Sequence, residues 1–285
     1  MDRKATARET LNIMEQGYYE AEGRKIEIRE LQKHSVKESF LLTPEQGEVL
    51  LDACKAQNNS TAEDFLSKHT CVWNCSSVDA ILKLTAEGSD KRKNGIAVLN
   101  FASAKNPGGG FLNGAMAQEE SLAASSCLYK TLTAHKEYYE KNRVCNTMMY
   151  TNYAIYSPDV VFFRDGRFRL LEEPVTASVL TLPAVNMGQV ILKGEDVKEA
   201  EQVMKRRMKL SLAIFAEQKC RHLILGAYGC GVFRNDPNKI AVWYKELLEE
   251  FFLDKFESVV FAVMDRSASQ DCIRAFQNIF GKLSS

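Results

Sequence analysis

Asn106-Pro107-Gly108-Gly109-Gly110-Phe111 is followed, one short loop later, by Gln118-Glu119-Glu120 at the mouth of a helix predicted to begin near residue 119. Three consecutive glycines leave peptide N–H groups unshielded by side chains, so a phosphate or a ribose can approach the main chain closely. The glutamates add an acid that binding alone does not require, and their spacing from the glycines sets both on one side of one pocket. Carboxylates in a first helical turn also complement the helix dipole, so the pair has a purely structural reading as well. Adjacent helical residues point in different directions, and the two glutamates are therefore expected to have different jobs.

A second glycine turn, Gly226-Ala227-Tyr228-Gly229-Cys230-Gly231-Val232-Phe233, lies far downstream. Each turn follows a predicted strand and precedes a predicted helix, the placement at which open α/β sheets bind ligands. Together the two turns could grip a diphosphate from both sides with backbone N–H groups. Neither is followed by Gly-Lys-Ser/Thr and neither satisfies Gly-x-Gly-x-x-Gly, which demotes ATP hydrolysis and hydride transfer.

Around these turns, residues 95–101, 154–164, 175–183, 222–227 and 259–264 read as strands, and 119–141, 196–218, 238–252 and 269–280 have helical length and periodicity. The alternation predicts an α/β layered core from residue 71 onward. Asp236-Pro237 is a cap and first-turn pair for the helix after the second turn. Phe163-Arg164-Asp165-Gly166-Arg167-Phe168 reads as a hairpin with Asp-Gly at a tight turn, which makes the sheet mixed. Residues 3–17 carry Ala7, Leu11 and Met14 at helical spacing and stop at Gly17; Lys25-Ile26-Glu27-Ile28-Arg29 alternates like a strand; Thr43-Pro44-Glu45 opens another helix. Residues 1–70 are thus read as a mainly helical extension packed on a core formed by residues 71–285.

The remaining polar residues have competing readings. Gln118 orients a glutamate or caps the helix; Asn106 hydrogen-bonds a ribose or forms the turn before Pro107; Phe233 stacks on a ligand ring or anchors the core; Tyr228 borders the pocket or covers it. His34, His69, His135 and His222 have no spacing partners and read as structural or solvent-facing. Lys205-Arg206-Arg207-Met208-Lys209 lies on a predicted helix and reads as its solvated face.

The chain has 285 residues, 37 Lys+Arg against 37 Asp+Glu, and 45% hydrophobic residues. That is enough for a packed core, and the balanced charge recruits neither DNA nor an anionic membrane. No stretch approaches the roughly 20 apolar residues that span a bilayer. Eight scattered cysteines in such a chain are expected to be reduced, and Cys71 and Cys75 lack the second pair that zinc requires, so no metal is expected. These features point to an intracellular, cytoplasmic monomer, with the nucleus also open.

The glycine triplet, short loop and Gln-Glu-Glu resemble the pattern of the microbial-type poly(ADP-ribose) glycohydrolases in the macrodomain superfamily. Leu99-Asn100-Phe101-Ala102-Ser103-Ala104 ahead of the triplet and the 226–233 turn extend the resemblance, which spans roughly residues 71–285. It implies a macrodomain-like three-layer α/β/α sandwich with a mixed sheet and an N-terminal helical extension. It implies cleavage of ribose–ribose O-glycosidic bonds with no cofactor, on poly(ADP-ribose) carried by ADP-ribosylated proteins. By resemblance Glu120 is the catalytic acid and Glu119 helps to hold the reacting ribose, with Asn106, Gly108, Gly109, Gly110, Gln118, Gly229, Cys230, Gly231, Val232 and Phe233 binding substrate. A neighbouring negative charge is expected to keep a fraction of Glu120 protonated near neutral pH. Two rivals share the glycine architecture: a non-catalytic ADP-ribose reader, which has no use for the acid, and a hydrolase removing single ADP-ribose groups from proteins.

Overall fold

The computed structural model describes residues 2–56, 62–88 and 95–281. In chain order they form α1 (Arg3–Gln16), β1 (Tyr18–Ala21), β2 (Arg24–Glu27), α2 (Arg29–Glu38), β3 (Phe40–Leu42), α3 (Pro44–Ala53), α4 (Ala62–His69), β4 (Thr70–Trp73), α5 (Ser77–Ala86), β5 (Ile96–Ala102), α6 (Gln118–Ser125), α7 (Leu128–Ala134), α8 (Lys136–Arg143), β6 (Ala154–Arg164), β7 (Leu170–Pro183), α9 (Met187–Lys193), α10 (Val197–Glu217), β8 (His222–Leu225), α11 (Pro237–Phe251), β9 (Ser258–Ala262) and α12 (Asp271–Phe280).

Strand β5 is apolar on both faces, as a strand with helices above and below must be. Ala97 and Leu99 join the core built with α9 to α12, whereas Ile96 and Val98 join a second core with α5 to α8. The seven-stranded sheet has the order β3-β6-β7-β5-β8-β9-β4. β4, β5, β7, β8 and β9 are parallel, and β6 and β3 are added antiparallel at one edge. The result is a mixed-sheet α/β/α sandwich, and the carboxyl ends of its parallel strands converge on one edge, where crossover loops leave room for a ligand.

The described residues up to 70 are mainly helical, but β3 is stitched into the main sheet through Phe40–Tyr156, Leu41–Ile155 and Leu42–Ala154. Strand β2 pairs with β1 in a separate hairpin. α1 starts at the Asp2 cap and stops at Gly17 in the left-handed region, and Thr43 with Gln46 forms a reciprocal cap on α3.

Three sequence expectations are corrected. The 119–141 helix is three short helices, because Ser126 is extended, its Oγ donates to the Leu122 carbonyl, and the Cys127 N–H goes to Val161 of the neighbouring strand. The Asp165-Gly166 turn is not a tight two-residue turn. The positive φ falls on Phe168, Asp165 accepts from the Arg167 and Arg169 N–H groups, and Gly166 serves the close approach of the Asp79 carboxylate. Finally, Arg207 is not on a solvated face.

Arg207 is 1% exposed, while its neighbours Lys205 and Arg206 reach out to Glu246 and Glu48. Its guanidinium donates to the carbonyls of Met149, Tyr150 and Pro183 and to Asn152 Oδ1. One cation thereby gathers the 149–152 loop onto the end of β7. Arg207→Ala leaves those carbonyls buried without a donor and is expected to lower stability by about 3 kcal/mol, whereas Lys205→Ala, at an exposed pair, costs about 1 kcal/mol or less. Urea denaturation of the two variants checks this; equal losses would mean that the loop finds other donors.

Candidate active site

A cavity of about 560 Å³ opens where the parallel strands end. Its wall comes from the segments after β4 (Ser76, Ser77), β5 (Ala102, Ser103), β7 (Ala184), β8 and β9, together with the start of α6. Gln118, Glu119, Glu120, Gly229, Cys230, Gly231, Val232 and Phe233 all line it. Asn106 and the glycine triplet do not.

The reason lies in where backbone N–H groups go. Gly109 N–H donates to the Asn106 carbonyl and Gly110 N–H to Glu120 Oε1, and Gly108 N–H leans on Glu119. The triplet therefore spends its donors on its own turn and on the two glutamates. Gly109 has φ +60° and a Cβ there would collide with Glu120 Oε1, so glycine is required for the carboxylates to approach the loop at all. Asn106 is exposed, and its N–H closes a turn on Ser103 Oγ.

The second turn is the opposite case. Among the described residues, no group accepts from the N–H of Gly231, Val232 or Phe233. Gly231 has no positive φ, and a Cβ there would meet nothing within 4 Å, so nothing in the protein requires a glycine at this position. Gly229 is different: at φ +73° its Cβ would lie 2.6 Å from Asn235 Nδ2 and 2.7 Å from the Ala184 methyl. Val232 is 82% exposed at the rim, and Phe233 is half-buried with its ring centroid 6.1 Å from that of Tyr150. Tyr228 belongs to the core: it is buried, and its hydroxyl donates to the Leu182 carbonyl.

Three consecutive side chains secure the start of α6. Gln118 Oε1 accepts from Phe101 N–H, and its Nε2 donates to the Leu99 carbonyl and to Ser77 Oγ, which makes it a latch between α6 and the end of β5. Glu119 is 3% exposed; its Oε2 accepts from Ser103 N–H at 2.7 Å and its Oε1 from Asn100 Nδ2 at 3.2 Å. Glu120 Oε1 takes the Gly110 N–H at 2.9 Å and Oε2 the Ala117 N–H at 3.0 Å, which fixes the carboxyl plane at the cavity edge.

Glu119 is the deeper of the two carboxyls. Burial drives the Glu119 carboxyl up to about 8, against the pull of the Ser103 and Asn100 donors, and the Glu120 charge adds only a minor push.

Asn100 was missed as a site residue. It is fully buried and holds both Glu119 and Thr181 Oγ1. The available signal was a lone amide inside an otherwise apolar strand, where a buried polar group must have a partner. No histidine lines the cavity: His69 faces the Glu257 carbonyl, His135 Ser39, His222 Ser258 and His34 Asp159. None of the eight cysteines is in a disulfide. Among the described residues, no helix is long and apolar enough to cross a membrane and no group of three metal-ligating side chains is gathered.

Residues 7–165 match the family model of the microbial-type PARG catalytic domain. The chain belongs to that family. The poly(ADP-ribose) glycohydrolase of Thermomonospora curvata superimposes with a TM-score of 0.88 at 38% identity, over 98% of this chain and 99% of that one. Its complex with the inhibitor ADP-HPD gives 0.86 at 37% identity, over 97% and 98%. The Deinococcus radiodurans poly(ADP-ribose) glycohydrolase, in complex with ADP-ribose, gives 0.75 at 39% identity, over 87% and 96%. No curated protein matches the chain. Membership in a hydrolase family sets aside the non-catalytic reader and agrees with the macrodomain-like fold.

The buried Glu119 has a measurable signature. Its folded-state value of about 8 lies above the ordinary 4.5, so its stabilising contribution is complete below about pH 4.5 and is lost as pH rises to about 8, at about 1.4 kcal/mol per pH unit. Glu119→Gln is expected to flatten that part of the stability–pH profile measured by urea denaturation. An unchanged slope would mean that Glu119 is ionised throughout.

Proposed function

We propose that the glycohydrolase activity of this chain, cleavage of ribose–ribose O-glycosidic bonds in poly(ADP-ribose), runs through Glu120 as proton donor and then as base. The carrying observation is the division of labour within the pair: Glu119 is buried and held by Asn100 and Ser103, whereas Glu120 is half-buried at the cavity with its carboxyl oriented by two backbone donors. Glu120 gives its proton to the leaving ribose oxygen as the glycosidic bond breaks, leaving an oxocarbenium-like centre. The resulting carboxylate then takes a proton from the water that attacks the anomeric carbon, restoring the acid.

Glu119 is assigned to positioning the reacting ribose next to that acid. The diphosphate is assigned to the free N–H groups of residues 231–233, with Phe233 beside the ribose. Gly108, Gly109 and Gly110 act through the glutamates, and Gln118 through α6. Residues 1–70 are assigned a buttressing role: the α1 hydroxyl of Thr10 donates to the Ala124 carbonyl at the end of α6. The chain is assigned to the cytoplasm as a monomer acting on ADP-ribosylated proteins, and its balanced charge gives it no general attraction for DNA.

Glu120→Gln is expected to lower kcat by at least about 100-fold while ADP-ribose affinity stays within several-fold, because shape survives and the proton does not. Turnover of defined poly(ADP-ribose), with monomer and oligomer products separated, reads the first, and calorimetry the second. Near wild-type kcat in a folded variant would remove Glu120 from the chemistry.

The two glycine turns should separate in the same assays. Gly109→Ala displaces the Glu120 carboxyl and is expected to act on kcat. Gly231→Val has room within the protein and should leave the melting curve in place, yet weaken ADP-ribose by about tenfold, equivalent to roughly one lost hydrogen bond. Unchanged affinity in Gly231→Val would seat the diphosphate elsewhere.

A further inference from the structure

Two thiols face each other in the cavity wall, and the chemistry assigned above uses neither. Cys230 belongs to the second glycine turn, and Cys272 is the second residue of α12; both line the cavity, where the interaction between the two thiols is the largest influence on each, and the Cys230 thiol also donates to the Tyr228 carbonyl at 3.8 Å. They lie 42 positions apart in the chain and meet because β8 and β9, which precede them, are neighbours in the sheet.

We propose that Cys230 and Cys272 form a reversible disulfide under peroxide, and that this bond closes the second glycine turn to the substrate diphosphate. The position of Cys272 suits it to react first. It sits in the first turn of a ten-residue helix, where the peptide dipoles favour a thiolate. The neighbouring Cys230 thiol lowers its proton affinity further, against burial and the opposing charge of Asp265, whose carboxylate accepts the Cys272 N–H. The interaction with Cys272, with burial, holds the proton on Cys230. Cys75, the third thiol of the cavity, is pushed up to about 11 mainly by burial, so it is the poorer nucleophile.

The Cys272 thiolate attacks one oxygen of hydrogen peroxide. The S–O bond forms, the O–O bond breaks, and the departing hydroxide takes a proton to become water. The Cys230 sulfur then attacks the sulfenic sulfur. The S–S bond forms, the S–O bond breaks, and the hydroxide leaves as water with the Cys230 proton. Two electrons pass from the thiol pair to the peroxide, and a thiol reductant reverses the change. A covalent bond of about 2.05 Å then replaces a non-bonded contact and draws the turn onto α12. The N–H groups of residues 231–233 move with it.

The loss of activity rests on the reading that this turn seats the diphosphate, which Gly231→Val tests separately; formation of the bond does not. The purified chain is treated with hydrogen peroxide, free thiols are blocked, and the digest is searched for a peptide pair joined through Cys230 and Cys272. Turnover of poly(ADP-ribose) is measured before treatment, after it, and after reduction. The expected result is the joined pair, loss of most turnover, and recovery on reduction. Cys272→Ser, and Cys272→Ala as a second replacement, are each expected to keep their own untreated rate. Absence of the joined peptide, a joined protein with an undiminished rate, or equal inactivation of the Cys272 variants would each overturn the proposal.

Discussion

The carboxyl of Glu120 bridges two pieces of backbone, taking one N–H from the glycine loop and one from the residue before its own helix. With Gln118 bonded to β5 and Glu119 bonded to the segment just after it, strand end, loop and helix start become a single unit. Each bond is worth only about 1 kcal/mol net, but charged groups left without partners in this setting would cost more than that. The constraint explains why glycine stands at 109: any side chain there would occupy the space of the carboxylate it must support.

Much of this was legible in the sequence. Strand 154–164 and helix 196–218 matched to within a residue, because buried strands and long amphipathic helices carry the strongest periodic signals. Asp236-Pro237 was read correctly, since capping is local chemistry. The short strands β3 and β4 were passed over: a three- or four-residue run shows no periodicity, and only pairing with β6 and β9 makes it a strand. Helix 119–141 broke where a strand edge competed for the Cys127 N–H, an event set by tertiary contact.

In the site, residue types were legible and roles less so. Gln118, Glu119, Glu120 and the second turn line the cavity, whereas the backbone donors of the first glycine loop go to its own turn and to the glutamates. Which N–H groups remain free depends on turn geometry, and glycine content does not reveal it. Arg207 is the clearest failure. Flanked by Lys205, Arg206 and Lys209, it shares their composition, yet it alone points inward to carbonyls supplied from 24 to 58 positions away. Helical phase relative to the sheet decides that, and a charge run hides it.

The order of the sheet sets one more property of the molecule. Glu120 emerges with the first 120 residues, whereas the free amides of residues 231–233 belong to a turn beginning at residue 226, and the strands that precede them, β5 and β8, lie side by side. During synthesis Glu120 is therefore made long before that turn, and contacts of such sequence separation form late because the intervening chain must first be ordered. A nascent or truncated chain that stops before β8 carries Glu120 without the turn proposed to seat the diphosphate. On that proposal both halves of the site exist only after β8 has paired with β5.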